Sequence, residues 1–253
     1  MPESVDVRRV GAVPPALAAT RAALHTLTTN VLTPVRYRAA RRIALEATPG
    51  GFGTFAFGDD ERVRVDGTDL VIEQAGHEKR APLTTIGAAA ELVLGQPTPD
   101  MQWTRDLTLH DTPDEAPAAT QLHVDEAASR FLGEWFGFAF TVLRALRDDP
   151  ASTDPSDPQL WPEHFDAAIE VLAGNRRASY GFSPGDDSHV DPYAYVSVWY
   201  PDSDEIGGLS DKQLWNSSTF PGAVLPLATI RAAGDQFTAT LDWMRSRRDV
   251  LAG

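Results

Sequence analysis

The chain has 253 residues, 36 acidic against 22 basic side chains, a net charge of -14 and no cysteine. That length fits one large domain or two small ones, and the missing cysteine excludes a disulfide framework, Cys-ligated zinc, an iron–sulfur cluster and a cysteine nucleophile. The acidic balance argues against nucleic acid and anionic membranes as partners, since both attract concentrated positive charge.

Residues 1–13 lack the apolar core of a signal peptide. The most apolar stretch, Phe131 to Leu146, is too short to span a bilayer and carries Glu134 and Arg144, whereas a spanning helix needs about 20 mainly apolar residues. A cytoplasmic protein is expected. Arg supplies 20 of the 22 basic residues, Lys only Lys79 and Lys212; with abundant Ala, this bias suggests a GC-rich bacterial genome.

After Pro14-Pro15, Leu17, Leu24, Leu27 and Val31 share one helical stripe, which Pro34 is expected to stop. Residues 42–48 read as a strand. Two more strands, Glu61–Val65 and Leu70–Glu73, flank the hairpin signal Asp66-Gly67. The run Gly50-Gly51-Phe52-Gly53 reads as a turn or bulge. A helix from about Thr84 to Leu94 ends at Gly95 and Pro97. Residues 111–120 hold no large apolar side chain and read as a linker between an N-terminal region, 1–110, and a C-terminal region, 121–253; one merged domain is the alternative.

A long helix is expected from about Leu122 to Leu146, with Val124, Ala128, Phe131, Trp135, Phe138 and Val142 on one face. Phe136, Phe140 and Leu143 widen that face, and Gly133 and Gly137 leave room for another element. The acidic run over residues 148–166, with Asp148, Asp149, Asp154, Asp157, Glu163 and Asp166 and no base, reads as a solvated loop. The period then changes to two: Phe165, Ala167, Ile169 and Val171 face one way, His164, Asp166, Ala168 and Glu170 the other. Strands near 164–172, 177–183 and 192–199 are expected to pair in sequence order. A last helix from about Asp235 to Arg248 buries Phe237, Leu241 and Met244. The fold class that follows is α+β, with mainly antiparallel sheets packed against long helices.

Ten of the 22 aromatic residues lie between Trp161 and Phe220, mixed with His and Asp. Such a mixture suits a pocket that orients a small ligand, and it equally suits an aromatic core. The candidate ligand-binding residues are His164, Asp166, Tyr180, Asp186, His189, Tyr193, Tyr195 and Trp215. His164, Asp166 and His189 are also the candidate metal ligands, because His with carboxylates suits zinc, iron or manganese. The same groups suit proton transfer. The loop from Asp186 to Asp191 has too few oxygen ligands for a calcium site. His25, His77 and His110 carry no motif, and His123 with Asp125 and Glu126 opens the long helix as structural groups.

Two motif matches fail on context. Gly51-Phe52-Gly53-Thr54-Phe55-Ala56 has no helix after it to receive a pyrophosphate. Gly181-Phe182-Ser183-Pro184-Gly185 continues into a turn, where a nucleophile elbow continues into a helix.

The runs Leu160-Trp161-Pro162-Glu163-His164-Phe165-Asp166, Gly181-Phe182-Ser183-Pro184-Gly185-Asp186-Asp187-Ser188-His189, Asp191-Pro192-Tyr193-Ala194-Tyr195-Val196 and Phe220-Pro221-Gly222-Ala223-Val224-Leu225-Pro226 resemble a family of uncharacterised actinobacterial proteins. Thr48-Pro49-Gly50-Gly51-Phe52-Gly53-Thr54 resembles the N-terminal part of the same family. The likeness implies no activity. The leading expectation is a protein that binds a small molecule in an aromatic-lined cleft. The alternatives are a metal-dependent or acid–base enzyme using His164, Asp166 and the 186–191 loop, and a protein-interaction module. Neither the cofactor nor the oligomeric state is legible.

Overall fold

The computed structural model describes residues 6–58, 60–107, 109, 113–199, 209, 211 and 213–253. The expectations for His110, Tyr200 and Lys212 lie outside the described residues. The chain divides into two compact units. Among the described residues, the first holds 12–137 and 160–165, and the second holds 6–11, 138–159 and the rest from 166 onward. The fold class is α+β, as expected, with antiparallel ladders and helices in both units.

In the first unit, α1 (Leu17–Leu27) runs through a π segment (Thr28–Leu32) into α2 (Thr33–Ala40). Pro34 therefore does not stop the helix; it sits in the first turn of α2. A proline ring collides with the carbonyl four residues back in an α-helix, and the looser winding just before it relieves that collision. The strands are β1 (Leu45–Thr48), β2 (Gly51–Thr54), β3 (Arg62–Asp66), β4 (Asp69–Gln74) and β5 (His77–Pro82), each antiparallel to the next. The hairpin at Gly67-Thr68 is where Asp66-Gly67 placed it, with Asp66 opposite Asp69.

The glycine run is a strand rather than a turn: Pro49 and Gly50 make the turn, and Gly51 to Thr54 pair with both β1 and β3. The α-helices α3 (Ile86–Leu94) and α4 (Gln102–Asp106) follow, and Trp103 of α4 buries against Tyr37 and Met101. Thr85 caps α3 through the Ala88 N–H, and Gly95 ends it at φ +72°.

The described part of residues 111–120 is sewn into the first unit: Asn30 Oδ1 accepts the Ala116 N–H at 2.8 Å, and Ala118 and Thr120 accept the N–H groups of Gly87 and Ile86. Absence of large apolar side chains marks a loop, and here backbone bonds hold that loop in place.

The long helix, α5 (Glu126–Arg147), begins after Asp125, whose carboxylate accepts the Ala128 N–H. Its residues up to Gly137 belong to the first unit and the remainder to the second. Phe131, Leu132, Trp135, Phe136, Phe138, Ala139 and Phe140 are all buried, so the helix is enclosed nearly all round, as expected. A Cβ at Gly133 would lie 2.9 Å from the Gly51 backbone, so helix and strand meet glycine to glycine.

A short strand, β6 (Gln159–Trp161), places Leu160 opposite Leu45 of β1. The second unit carries β7 (Asp166–Ala173), β8 (Arg176–Ser183), β9 (Tyr193–Val198) and β10 (Gly222–Pro226), paired antiparallel in sequence order. The helices α6 (Leu227–Ala232) and α7 (Gln236–Ala252) complete it, and α7 packs on β7, β8 and β9. Phe138 of α5 meets Phe182 of β8 edge to face. No helix among the described residues is long and apolar enough to cross a membrane.

Candidate functional site

Residues opposite each other in a ladder share a face, and neighbours along a strand alternate. In the second unit, Ile169 pairs with Tyr180, and Tyr180 with Val196. These side chains form the apolar face, with Phe182 packed on Phe138. Glu170, Ser179, Gly181, Ser183, Tyr193, Tyr195 and Ser197 fall on the other face, as does Asp166 at the start of β7. Tyr193 and Tyr195 thus share a face, as their spacing predicted. Tyr180 does not join them. It lies on the apolar face with its ring fully buried, and burial pushes its hydroxyl far above the usual phenol range.

The geometry centres on Gly181, which stands opposite Tyr195. A Cβ there would lie 2.4 Å from Tyr195 Cζ, so the tyrosine ring lies flat across β8 in the space a side chain would fill. Crossing β8 brings the Tyr195 hydroxyl to β7, where it donates a hydrogen bond to Asp166 Oδ2. A glycine inside a strand commonly marks such a close approach.

One pair along, Ser183 stands opposite Tyr193. The Tyr193 hydroxyl donates to Asp186 Oδ2, and Asp186 Oδ1 accepts the N–H groups of Ser188 and His189, both at 2.7 Å. Asp186 is therefore the hub that folds the 184–191 loop. The His189 ring lies against Tyr193 with centroids 4.7 Å apart, and Tyr193 lies 6.2 Å from Tyr195. Phe220 meets the other edge of Tyr195 at 6.1 Å. The result is a continuous strip: Asp166, Tyr195, Tyr193, Asp186, His189.

Exposure is uneven along this strip, with Tyr195 half-buried. Asp166 and Tyr193 are each 7 % exposed, whereas the Asp186 and His189 side chains are 42 % and 30 % exposed. Burial alone pushes the Asp186 carboxyl up. The Tyr193 phenol and the His189 and Ser188 N–H groups more than offset this and hold it below the usual carboxylate range. Tyr193 and Tyr195 move the opposite way: burial first, then the carboxylate beside each, keeps both phenols protonated.

Three expected members stand elsewhere. His164 is exposed in the turn before β7 and belongs to the first unit, so it does not share a strand face with Asp166. The cause is Phe165, whose φ of +53° breaks the pleat one residue before the strand begins. Trp215 is buried in the loop before β10, where its neighbour Asn216 clamps Val224 through both its N–H and its carbonyl. Tyr180 is on the apolar face. Among the described residues no group of three or more His, Asp or Glu side chains is arranged to hold a metal ion. Set beside known proteins, the chain matches no family model, no curated protein and no solved structure.

Proposed function

We propose that the second unit binds a small organic molecule on the Tyr193–Tyr195 strip, through an aromatic contact and a cationic or hydrogen-bond-donating group. The observation that carries this reading is the fate of the phenolic protons. Tyr195 donates its hydroxyl hydrogen bond to Asp166, and Tyr193 donates its own to Asp186. What those four groups offer a visitor is oxygen lone pairs, negative charge and ring faces. That set suits a protonated amine, which gains from carboxylates and from aromatic faces alike. The more exposed Asp186 and His189 side chains mark the end from which a ligand enters.

The test is calorimetric titration with benzylammonium as probe and benzoate as control. Saturable binding of benzylammonium, weakened about tenfold (about 1.4 kcal/mol) in Asp186→Asn and absent for benzoate, is expected. Equal affinity in wild type and Asp186→Asn, or no saturable binding of the probe, overturns the reading.

A further inference from the structure

The first unit contains an arrangement that the proposed ligand strip does not use. His25, near the end of α1, lies parallel to the Phe165 ring, with centroids 5.3 Å apart and planes 7° from coplanar. Its Nε2 is 2.8 Å from the Pro162 carbonyl oxygen. One imidazole thus holds both ends of the turn from Pro162 to Phe165.

That turn needs holding. Phe165 has φ +53°, a left-handed conformation that is unfavourable for a side-chain-bearing residue. Its ring is fully buried, with Phe52 and Phe136 each set edge-on at 5.3 Å. Strain of this kind persists only where the surroundings over-determine it. His25 supplies the fourth ring of that surrounding and is the only one of the four that can take up a proton.

We propose that His25 is an acid-sensitive latch: neutral, it clamps the 162–165 turn in its strained form, and protonated, it lets go so that Phe165 relaxes. A charged ring gains a little over an aromatic face. Against this stand the loss of solvation and two basic neighbours, Arg21 on its own helix and His164 on the turn. The carbonyls of Pro162 and Glu163 oppose them. Burial is the largest of these effects, and the balance places the His25 pKa below its usual 6.5. The sign follows directly. A folded pKa below the unfolded one means the clamp is complete above about pH 6.5 and is lost progressively as pH falls beneath it.

The experiment is amide hydrogen exchange of the 160–168 segment at pH 7.5, 6.5 and 5.5, corrected for intrinsic rate, in wild type and His25→Phe. The range stays above the pI of about 4.7, so the chain remains negative. In wild type, protection of residues 163–166 falls across the range, by at most about tenfold for a single imidazole, while β3 and β4 keep theirs. The Phe variant keeps the stacked ring, cannot titrate and shows no such fall. Constant protection in wild type, an equal fall in His25→Phe, or a simultaneous loss throughout the unit overturns the proposal. A proton NMR titration of His25 in wild type gives an independent reading, whatever the variant's folding. Its midpoint must coincide with the loss of protection, and a midpoint at or above 6.5 overturns the latch.

Discussion

A methyl group at position 181 would sit 2.4 Å from Tyr195 Cζ and 2.5 Å from its hydroxyl. Gly181→Ala should therefore lift the tyrosine ring off β8 and break its bond to Asp166. Forcing extra volume into such a site costs about 1–3 kcal/mol, and urea denaturation should show a lower midpoint with unchanged slope. Stability within 0.5 kcal/mol of wild type, the usual scatter of about ±0.5 for a neutral surface change, would contradict the ring's placement. At the other end of the strip, Tyr193→Phe removes one of the groups that hold the Asp186 carboxyl below its ordinary value of 3.8. Carbon-detected NMR should show the Asp186 midpoint rising in that variant. Because the folded value is depressed, the carboxylate's contribution is complete above its ordinary pKa and is lost as the pH falls through the lowered one. A Tyr193→Phe protein should accordingly lose less stability between pH 5 and pH 3, a range set by the usual acid titration window of about 3.9 for aspartate.

Among the elements, the π segment after α1 and the loop after residue 112 are tied through Asn30. Its side chain is 1 % exposed, donates to the carbonyls of Thr26 and Asp114 and accepts the Ala116 N–H. Asn30→Ala should cost about 1–3 kcal/mol, the penalty for stranding buried polar groups. The Ala116 amide should exchange far faster, and unchanged exchange there would show that Asn30 is dispensable. The pairing of β7, β8 and β9 was legible because their residues alternate and short polar turns separate them. Gly95 likewise announced the end of α3. The strands β5, β6 and β10 were not legible. β5 is His-Glu-Lys-Arg-Ala-Pro, an edge strand exposed on nearly every residue, so it lacks an apolar period, and charges there discourage pairing with other chains. The sequence showed that Tyr193 and Tyr195 share a face. It could not show that Tyr180 is on the opposite one, because hairpin register decides that and Pro-Gly-Asp does not specify a loop length. Nor could it foresee His25 beside Phe165, which lies 140 positions away along the chain.

At the level of the whole molecule, charge dominates. An excess of 14 negative charges strains the compact state by self-repulsion. Ion pairs relieve it locally: Arg64 meets Asp66, Glu73 and Glu78, and Arg248, 5 % exposed at its side chain, meets Asp149. Most pairs are more exposed than these and contribute little. Raising the salt from about 10 to 150 mM shortens the screening length from about 30 to 8 Å and should raise the melting temperature at pH 7.5. A fall would mean that the paired networks outweigh the net repulsion. Light scattering should rise near pH 4.7, the isoelectric point.

The division of the chain into units has a bearing on how the protein is made. Neither unit is a continuous stretch: the first needs residues 160–165, and the second takes residues 6–11 from the front. Within the second, the Val10 N–H bonds Gln236 Oε1 at 2.7 Å, a closure across 226 positions. A ribosome delivers the front segment early and its partner helix α7 almost last. The first unit can finish once residue 165 has left the exit tunnel, while residues 6–11 wait unsatisfied through most of translation. A cut at residues 111–120 would sever the loop that Asn30 holds and leave neither half with a complete unit.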